Sequence, residues 1–340
     1  MTSVSVVRTR NLWSQVFAIC GILCLAMAAT ATAAAQVTAV PPYTVSVFAT
    51  SMPHVYFQPD SICLWNGRVF IGYGNNAKPD GSFGHSTIVE YATDGTVLHK
   101  VIVQGHNDGL KVDPKTNLLW ALQNEDANPN LVIIDPNNWS SKLYTFAKPA
   151  HGGGYDDMAF IGNDVYISAS NPSNNPNTQQ AIVKATLNGN RVDVVPVLLG
   201  DANATDITTG NVIKLNLQDP DSMISDVEGD LVLDSQADGE LIFVHNPGST
   251  NQEVFRLRLS EKGKPTQIDD TVLAYSSQGV ILVSDRDGET VYSIQAPFFG
   301  PSEAYSAGLT FVGRLNTHTG GLTPIASGMV SPHGMTFIGQ

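Results

Sequence analysis

One short phrase recurs six times along this chain, and a repeat at that period constrains the fold more than any other feature. The phrase puts an acidic or imidazole residue two places before a large apolar one, at the entry to a β-rich run. It stands in "QPDSICLWNG" (Asp60), "HNDGLKVDPKTNLLWAL" (Asp108), "GYDDMAFIGNDVYISAS" (Asp156), "DPDSMISDVEGDLVLDS" (Asp221), "IDDTVLAYSSQGVILVSD" (Asp270) and "SPHGMTFIGQ" (His333). The copies are 48, 48, 65, 49 and 63 residues apart.

Each of the first five copies leads through a tight turn to a second apolar run: "RVFIGYG", "LLWALQ", "DVYISAS", "DLVLDS", "GVILVSD". A third run follows ("STIVEYA", "NLVIIDP", "QAIVKATL", "ELIFVHN", "TFVGRLN"). After hairpin chemistry such as "TDGT", "LNGN" or "HTGG" comes an outer run. No amphipathic helix interrupts these stretches. Four short antiparallel strands about every fifty residues predict an all-β fold, a β-propeller of six blades of four strands. The alternative is five full blades plus a closing ribbon. The termini are expected to share the last blade, with residues 43–50 as its outer strand and "PHGMTFIG" as its inner strand. That leaves two strands of the last blade unassigned. The long spacings mark insertions, about Asp201 to Gln218 and Asp285 to Gly308, the second with room for an extra hairpin.

The chain opens with Arg8 and Arg10, an apolar run from about Val16 to Ala29, and "ATATAAAQV". That order predicts a secretory signal peptide over residues 1–35, cleaved near Ala35, and a single propeller domain over 36–340. The apolar run is short for a membrane anchor, the other reading of this segment. A secreted or periplasmic location follows. Loss of the two arginines takes the formal charge from -13 to -15. An acidic surface disfavours nucleic acid and anionic membranes and suits a monomer acting on small molecules or cations. Only Cys63 survives cleavage, so no intrachain disulfide forms; in "SICLW" it reads as a small core residue.

Residues at the start of a propeller's inner strands face one another around one mouth of the channel. The repeat therefore predicts a ring of Asp60, Asp108, Asp156, Asp221, Asp270 and His333. Converging carboxylates need raised pKa values or a bound cation. Oxygen donors with at most one imidazole favour a hard divalent cation, Ca²⁺ first, with Mg²⁺, Mn²⁺ or Zn²⁺ behind it. The competing reading makes each Asp an Asx-turn that holds its own backbone and carries no chemistry. Of the other histidines, His106 stands within reach of the mouth but is expected first on a solvent-facing loop, and His151 in "HGGGYDD" on a loose connector, with a close backbone approach to a ligand as the other reading of its glycines. No H-x-x-x-H pair, G-x-S-x-G elbow or Walker loop is present.

"NDGLKVDPKTNLLWAL" resembles the "NDGKxDPxG" stretch of the SMP-30/gluconolactonase family, and "DPDSMISDVEGDLVLDS" its "PDGxxxDxxGxLW" stretch. The resemblance implies a six-bladed propeller with a divalent ion in its channel. It places metal ligands on Asp60, Asp156 and Asp221, and a substrate-holding role on Asn107 beside Asp108. It implies metal-dependent hydrolysis of a lactone or small ester, with Asp221 as base. In such a reaction Asp270 is the other carboxylate near enough to act as base, and His333, with an unperturbed pKa near neutrality, is expected to protonate the leaving group. Asp60 and Asp156 replace the family's Glu and Asn, and Ser222 its Gly. Two alternatives remain. One is a non-enzymatic NHL-like propeller that binds a small molecule, glycan or protein. The other is a propeller lyase of the streptogramin-inactivating kind, which relies on paired His and a Glu near the mouth.

Overall fold

The computed structural model describes residues 36–339; the expected signal peptide lies outside them. Among the described residues every regular element is a β-strand, and no helix is long and apolar enough to cross a membrane. The strands form curled, mainly antiparallel sheets, the all-β architecture of a β-propeller.

Four runs follow the chain in order. Pro59–Trp65, Arg68–Tyr73, His85–Ala92 and Val97–Gln104 make the first, and Asn107–Val112, Leu119–Gln123, Asn130–Ile134 and Ser141–Phe146 the second. Met158–Ile161, Asp164–Ser168, Gln180–Asn188 and Arg191–Leu199 make the third. Pro220–Ser225, Leu231–Ser235, Glu240–His245 and Glu253–Arg258 make the fourth. The middle strands read as near-continuous apolar runs because both their faces are covered. The outer strand Val97–Gln104 is mostly exposed and mixes His99, Lys100 and Gln104 with exposed Val97, Leu98 and Ile102. At the first hairpin Asn66 and Gly67 both take positive φ (47° and 69°), which twists the turn to suit its strands.

The last two runs exchange strands. Ile268–Leu273 pairs with Ala304–Gly308, not with Gly279–Asp285 as the repeat implied; Phe311–Leu315 and Gly321–Ser327 complete that run. The hairpin Gly279–Asp285/Thr290–Gln295 instead joins Pro332–Gly339 on one side and Thr44–Thr50 on the other. Both termini do share one sheet, as expected. The strands missing from it come from this hairpin, whose first strand the repeat pattern assigns to the preceding unit. Two hairpins of equal β-propensity are interchangeable by local pattern, and packing decides between them. The insertion after Asp201 adds Asn203–Asp206, parallel to Glu253–Arg258, where Arg256 is held between Asp206 and Glu240.

Six apolar clusters lie between these runs in rotation. Phe70, Leu110 and Ile134 join the first run to the second. Leu122, Ile167 and Val183 join the second to the third, and Ala159, Leu233 and Ile242 the third to the fourth. Leu257, Ile268 and Phe311 continue the series, as do Val272, Ile281 and Phe337. Ile62, Val89, Leu282 and Val291 then bring the last run against the first. These clusters hold together a chain whose one cysteine after residue 35, Cys63, is an unpaired thiol. Burial pushes that thiol up to about 12, so it is inert.

Candidate functional site: an acidic mouth built on bulged inner strands

Five of the six inner strands carry one residue too many at their entry. Pro59 stands opposite Tyr73 and Ile62 opposite Ile71, so two residues face one across the pair. The same slip separates Asn107 from Leu110, Pro220 from Met223, Ile268 from Thr271 and Pro332 from Met335. A β-bulge re-aims the side chain it carries. Here it turns Asp60, Asp108, Asp221 and His333 into one cavity of about 150 Å³, which Asp156 joins from just before the strand Met158–Ile161.

This register corrects the fifth position. Asp269, not Asp270, occupies the place of Asp60 and Asp221, and Asp269 lines the mouth. Asp270 sits one layer deeper, where its Oδ2 accepts the Met335 N–H at 2.6 Å. Asp157 does the same for Met223 N–H at 3.1 Å. "DD" at 156–157 and "DD" at 269–270 are therefore equivalent pairs, the first member facing the mouth and the second tying inner strands together. Lys111 closes this lower layer, its Nζ 2.9 Å from Asp157 Oδ2. Burial raises Asp270 to about 7 against the pull of Lys111.

Asn107 is not at the mouth. It is fully buried, and its Nδ2 donates to the carbonyls of Leu122 (2.8 Å) and Gly109 (3.2 Å). Strand alternation sends His106 and Asp108 to the cavity and Asn107 to the opposite face. His106, expected in solvent, is 3% exposed. The "HGGG" segment is likewise packed rather than loose. His151 is buried with Nε2 2.7 Å from the Gly154 carbonyl, and a Cβ on Gly154 would meet the Glu125 carbonyl at 2.4 Å. The glycines admit a close backbone approach, but to this chain's own Asn124–Glu125 turn.

Glu125, Asp126, Asp219, Gln236 and Arg286 complete the mouth. The two-residue spacing of Asp219 from Asp221 was a signal for one of them; the others arrive from outside the inner strands. Eight carboxyl groups thus face one guanidinium and two imidazoles. Asp60, Asp108, Asp156 and Asp221 are not bonded to the backbone N–H two residues on, as Asx-turns would be; Asp80, Asp94 and Asp113 elsewhere are. Burial first, then Asp221 and Asp108, pushes Asp156 well above the carboxylate range. Burial, Asp269 and Asp219 do the same to Asp221, and burial takes Asp219 to about 6. At Asp60 burial is outweighed by His333, Arg286 and His106, and its pKa falls.

Two compact groups bring one potential ligand atom per residue within 4.8 Å of one another: Asp60, Asp269 and His333, and His106, Asp108 and Glu125. Asp60, Asp156 and Asp221 share the cavity without forming such a group. In the first group His333 Nδ1 lies 3.0 Å from Asp269 and 3.6 Å from Asp60. Burial alone would keep this imidazole neutral; the two carboxylates prevail and hold it cationic. A cavity this acidic and this buried suits a dication: its donors are mainly hard oxygens, and Asp156 and Asp221 lack a countercharge.

No protein-family model matches the chain, and no curated protein matches it. Among solved structures it is similar to a virginiamycin B lyase from Staphylococcus aureus, at 10% identity over 82% of this chain and 86% of that one, with a TM-score of 0.49. It is similar to a putative gluconolactonase at 9% identity over 88% of each chain, with a TM-score of 0.49. A gluconolactonase from Xanthomonas campestris is similar at 12% identity over 68% of this chain and 69% of that one, with a TM-score of 0.39. Gluconolactonases, the group its motifs resemble, are thus among the structures similar to the chain.

Proposed function

We propose that this chain is an exported, monomeric six-bladed β-propeller that binds a divalent cation, Ca²⁺ before Mg²⁺, Mn²⁺ or Zn²⁺, in its acidic mouth and hydrolyses a lactone or related small ester there. The observation that carries the reading is the Asp156–Asp221 face, where a buried and a half-buried carboxyl are driven up together with no cation of the chain against them. Six apolar clusters in rotation support the blade count.

Asp60, Asp156 and Asp221 offer oxygen donors to the ion, which when bound supplies Lewis acidity toward a carbonyl. Asp219, with a pKa of about 6, takes over the base role first assigned to Asp221 or Asp270, because its proton is exchangeable near neutrality. Asp270 is withdrawn from the mouth. His333, held cationic by Asp269 and Asp60, anchors those carboxylates and is a weaker proton donor than a free imidazole. Substrate selection passes from buried Asn107 to Asp108, Gln236 and Arg286.

One observation favours a second reading. His106, His333 and Glu125 share the mouth, which is the paired-His and Glu set that a propeller lyase relies on. Product mass separates the two: hydrolysis adds the elements of water and elimination does not.

The cation is tested first. With metal stripped, Ca²⁺ at a hundredfold its Kd is expected to stabilise the protein by about 2.7 kcal/mol. That shift should shrink as pH falls from 8 to 5, since protons compete for the carboxylates. An absent shift for all four ions would leave the NHL-like binding module as the better reading.

A further inference from the structure

We propose that His106, Asp108 and Glu125 form a second cation site at the mouth, selective for a 3d dication of the Zn²⁺ or Mn²⁺ type over Ca²⁺. His106 Nδ1 points at Asp108 Oδ2, 3.4 Å away, and at Glu125 Oε2, 3.8 Å away. Both gaps exceed a normal N–H···O hydrogen bond. The nitrogen makes none, although the residue is only 3% exposed, and Asp108 Oδ2 is also buried without a hydrogen bond. Leaving such a group unsatisfied costs about 1–3 kcal/mol.

The spacing has a direct explanation. An ion held at about 2.1 Å by nitrogen and oxygen ligands in a tetrahedron spreads those ligands to about 3.4 Å from one another. The His333 group serves as the internal contrast. There Nδ1 closes onto Asp269 at 3.0 Å and Nε2 lies 3.0 Å from Ser331 Oγ, so that imidazole is satisfied by the chain itself. An imidazole among the donors turns the preference from Ca²⁺ toward 3d ions.

The ligands are held from behind. Asn124 Oδ1 accepts the His106 N–H at 3.0 Å, and the His106 carbonyl accepts the Asn124 N–H at 2.7 Å. Gly154 packs against the Glu125 carbonyl, and the Asp126 N–H donates to the Pro79 carbonyl at 3.0 Å. Glu125 thus leaves a turn fixed on both sides, and His106 leaves a strand entry fixed by the same Asn124.

Co²⁺ is the probe, titrated calorimetrically and by visible absorption into the metal-stripped full chain under saturating Ca²⁺. One equivalent is expected to bind despite the Ca²⁺, with a visible band of an imidazole-ligated ion. His106→Gln and Glu125→Gln should each weaken that equivalent at least tenfold while leaving the Ca²⁺-induced thermal shift intact. Should His106→Gln fold poorly, Glu125→Gln on the more open side of the group decides. Equal Co²⁺ affinity in both variants, or full displacement of Co²⁺ by Ca²⁺, would overturn the proposal. Loss of the Ca²⁺ shift in wild type would instead count against the Asp156–Asp221 reading and leave this measurement standing.

Discussion

Stripped of metal, the protein is expected to melt about 3 °C higher at pH 5 than at pH 8, the reverse of ordinary acid destabilisation. The sign follows from linkage. Asp219 and Asp270 titrate near 4 when unfolded but at about 6 and about 7 in the fold. Between those values the folded state holds more protons, so its stability falls as pH rises. His333, raised by Asp269 and Asp60, acts in the same direction, because its stabilising charge is lost as pH climbs through its folded pKa. Asp60, lowered, opposes the trend only toward the acid end. A pKa unit is worth about 1.4 kcal/mol, and screening leaves a net of about 2 kcal/mol. Asp156→Asn with Asp221→Asn should raise the metal-free melting temperature at pH 8 and abolish the Ca²⁺ shift. This is the pattern of a site whose charge is kept at the expense of stability. Melting curves at pH 5, 6.5 and 8 decide; a double variant that melts lower at pH 8 and still responds to Ca²⁺ sinks the assignment.

Lys111→Met should cost about 3 kcal/mol, seen as a fall of roughly 5 °C in melting temperature at pH 8. Lys111 separates two unlike cavities. Above it lies the acidic mouth. Beyond it is a funnel of about 440 Å³ lined by Ile62, Met158, Met223, Val272 and Met335. Its ammonium is the counterion of Asp157 and stands close to Asp270, both buried. Removing one partner of such a group leaves the remaining charge unpaired, which costs more than the pair contributes. The figure is at the low end because Lys111 keeps 23% of its side-chain surface. Adding Asp157→Asn and Asp270→Asn should restore most of the loss, since each Asn Oδ1 can still accept the Met223 or Met335 N–H. A single variant as stable as wild type would show that the lower layer is hydrated rather than charge-paired.

The repeat made the architecture readable. The β-rich runs, the hairpin turns and the shared sheet of the two termini all follow from local pattern, because strand period and turn chemistry are short-range properties. The acidic mouth was readable as a class of site: five of its lining residues, Asp60, Asp108, Asp156, Asp221 and His333, stand at the repeated position. Asp269 was missed by one residue because a bulge adds a residue without altering composition. A one-residue slip exchanges the faces of a strand. Asn107, placed at the mouth by the resemblance, lies on the opposite face of its strand, and its neighbour His106 lines the cavity.

By itself the sequence determined the all-β class, the period of the strands and the gathering of carboxylates, since each is written in residue type and spacing. Tertiary structure alone decided which hairpin completes which run, which member of each Asp pair faces the mouth, and that Glu125, Asp126 and Arg286 join from outside the inner strands. Those outcomes depend on packing between segments distant in the chain, where neighbouring alternatives share the same local propensity and differ only in how well the whole ring closes.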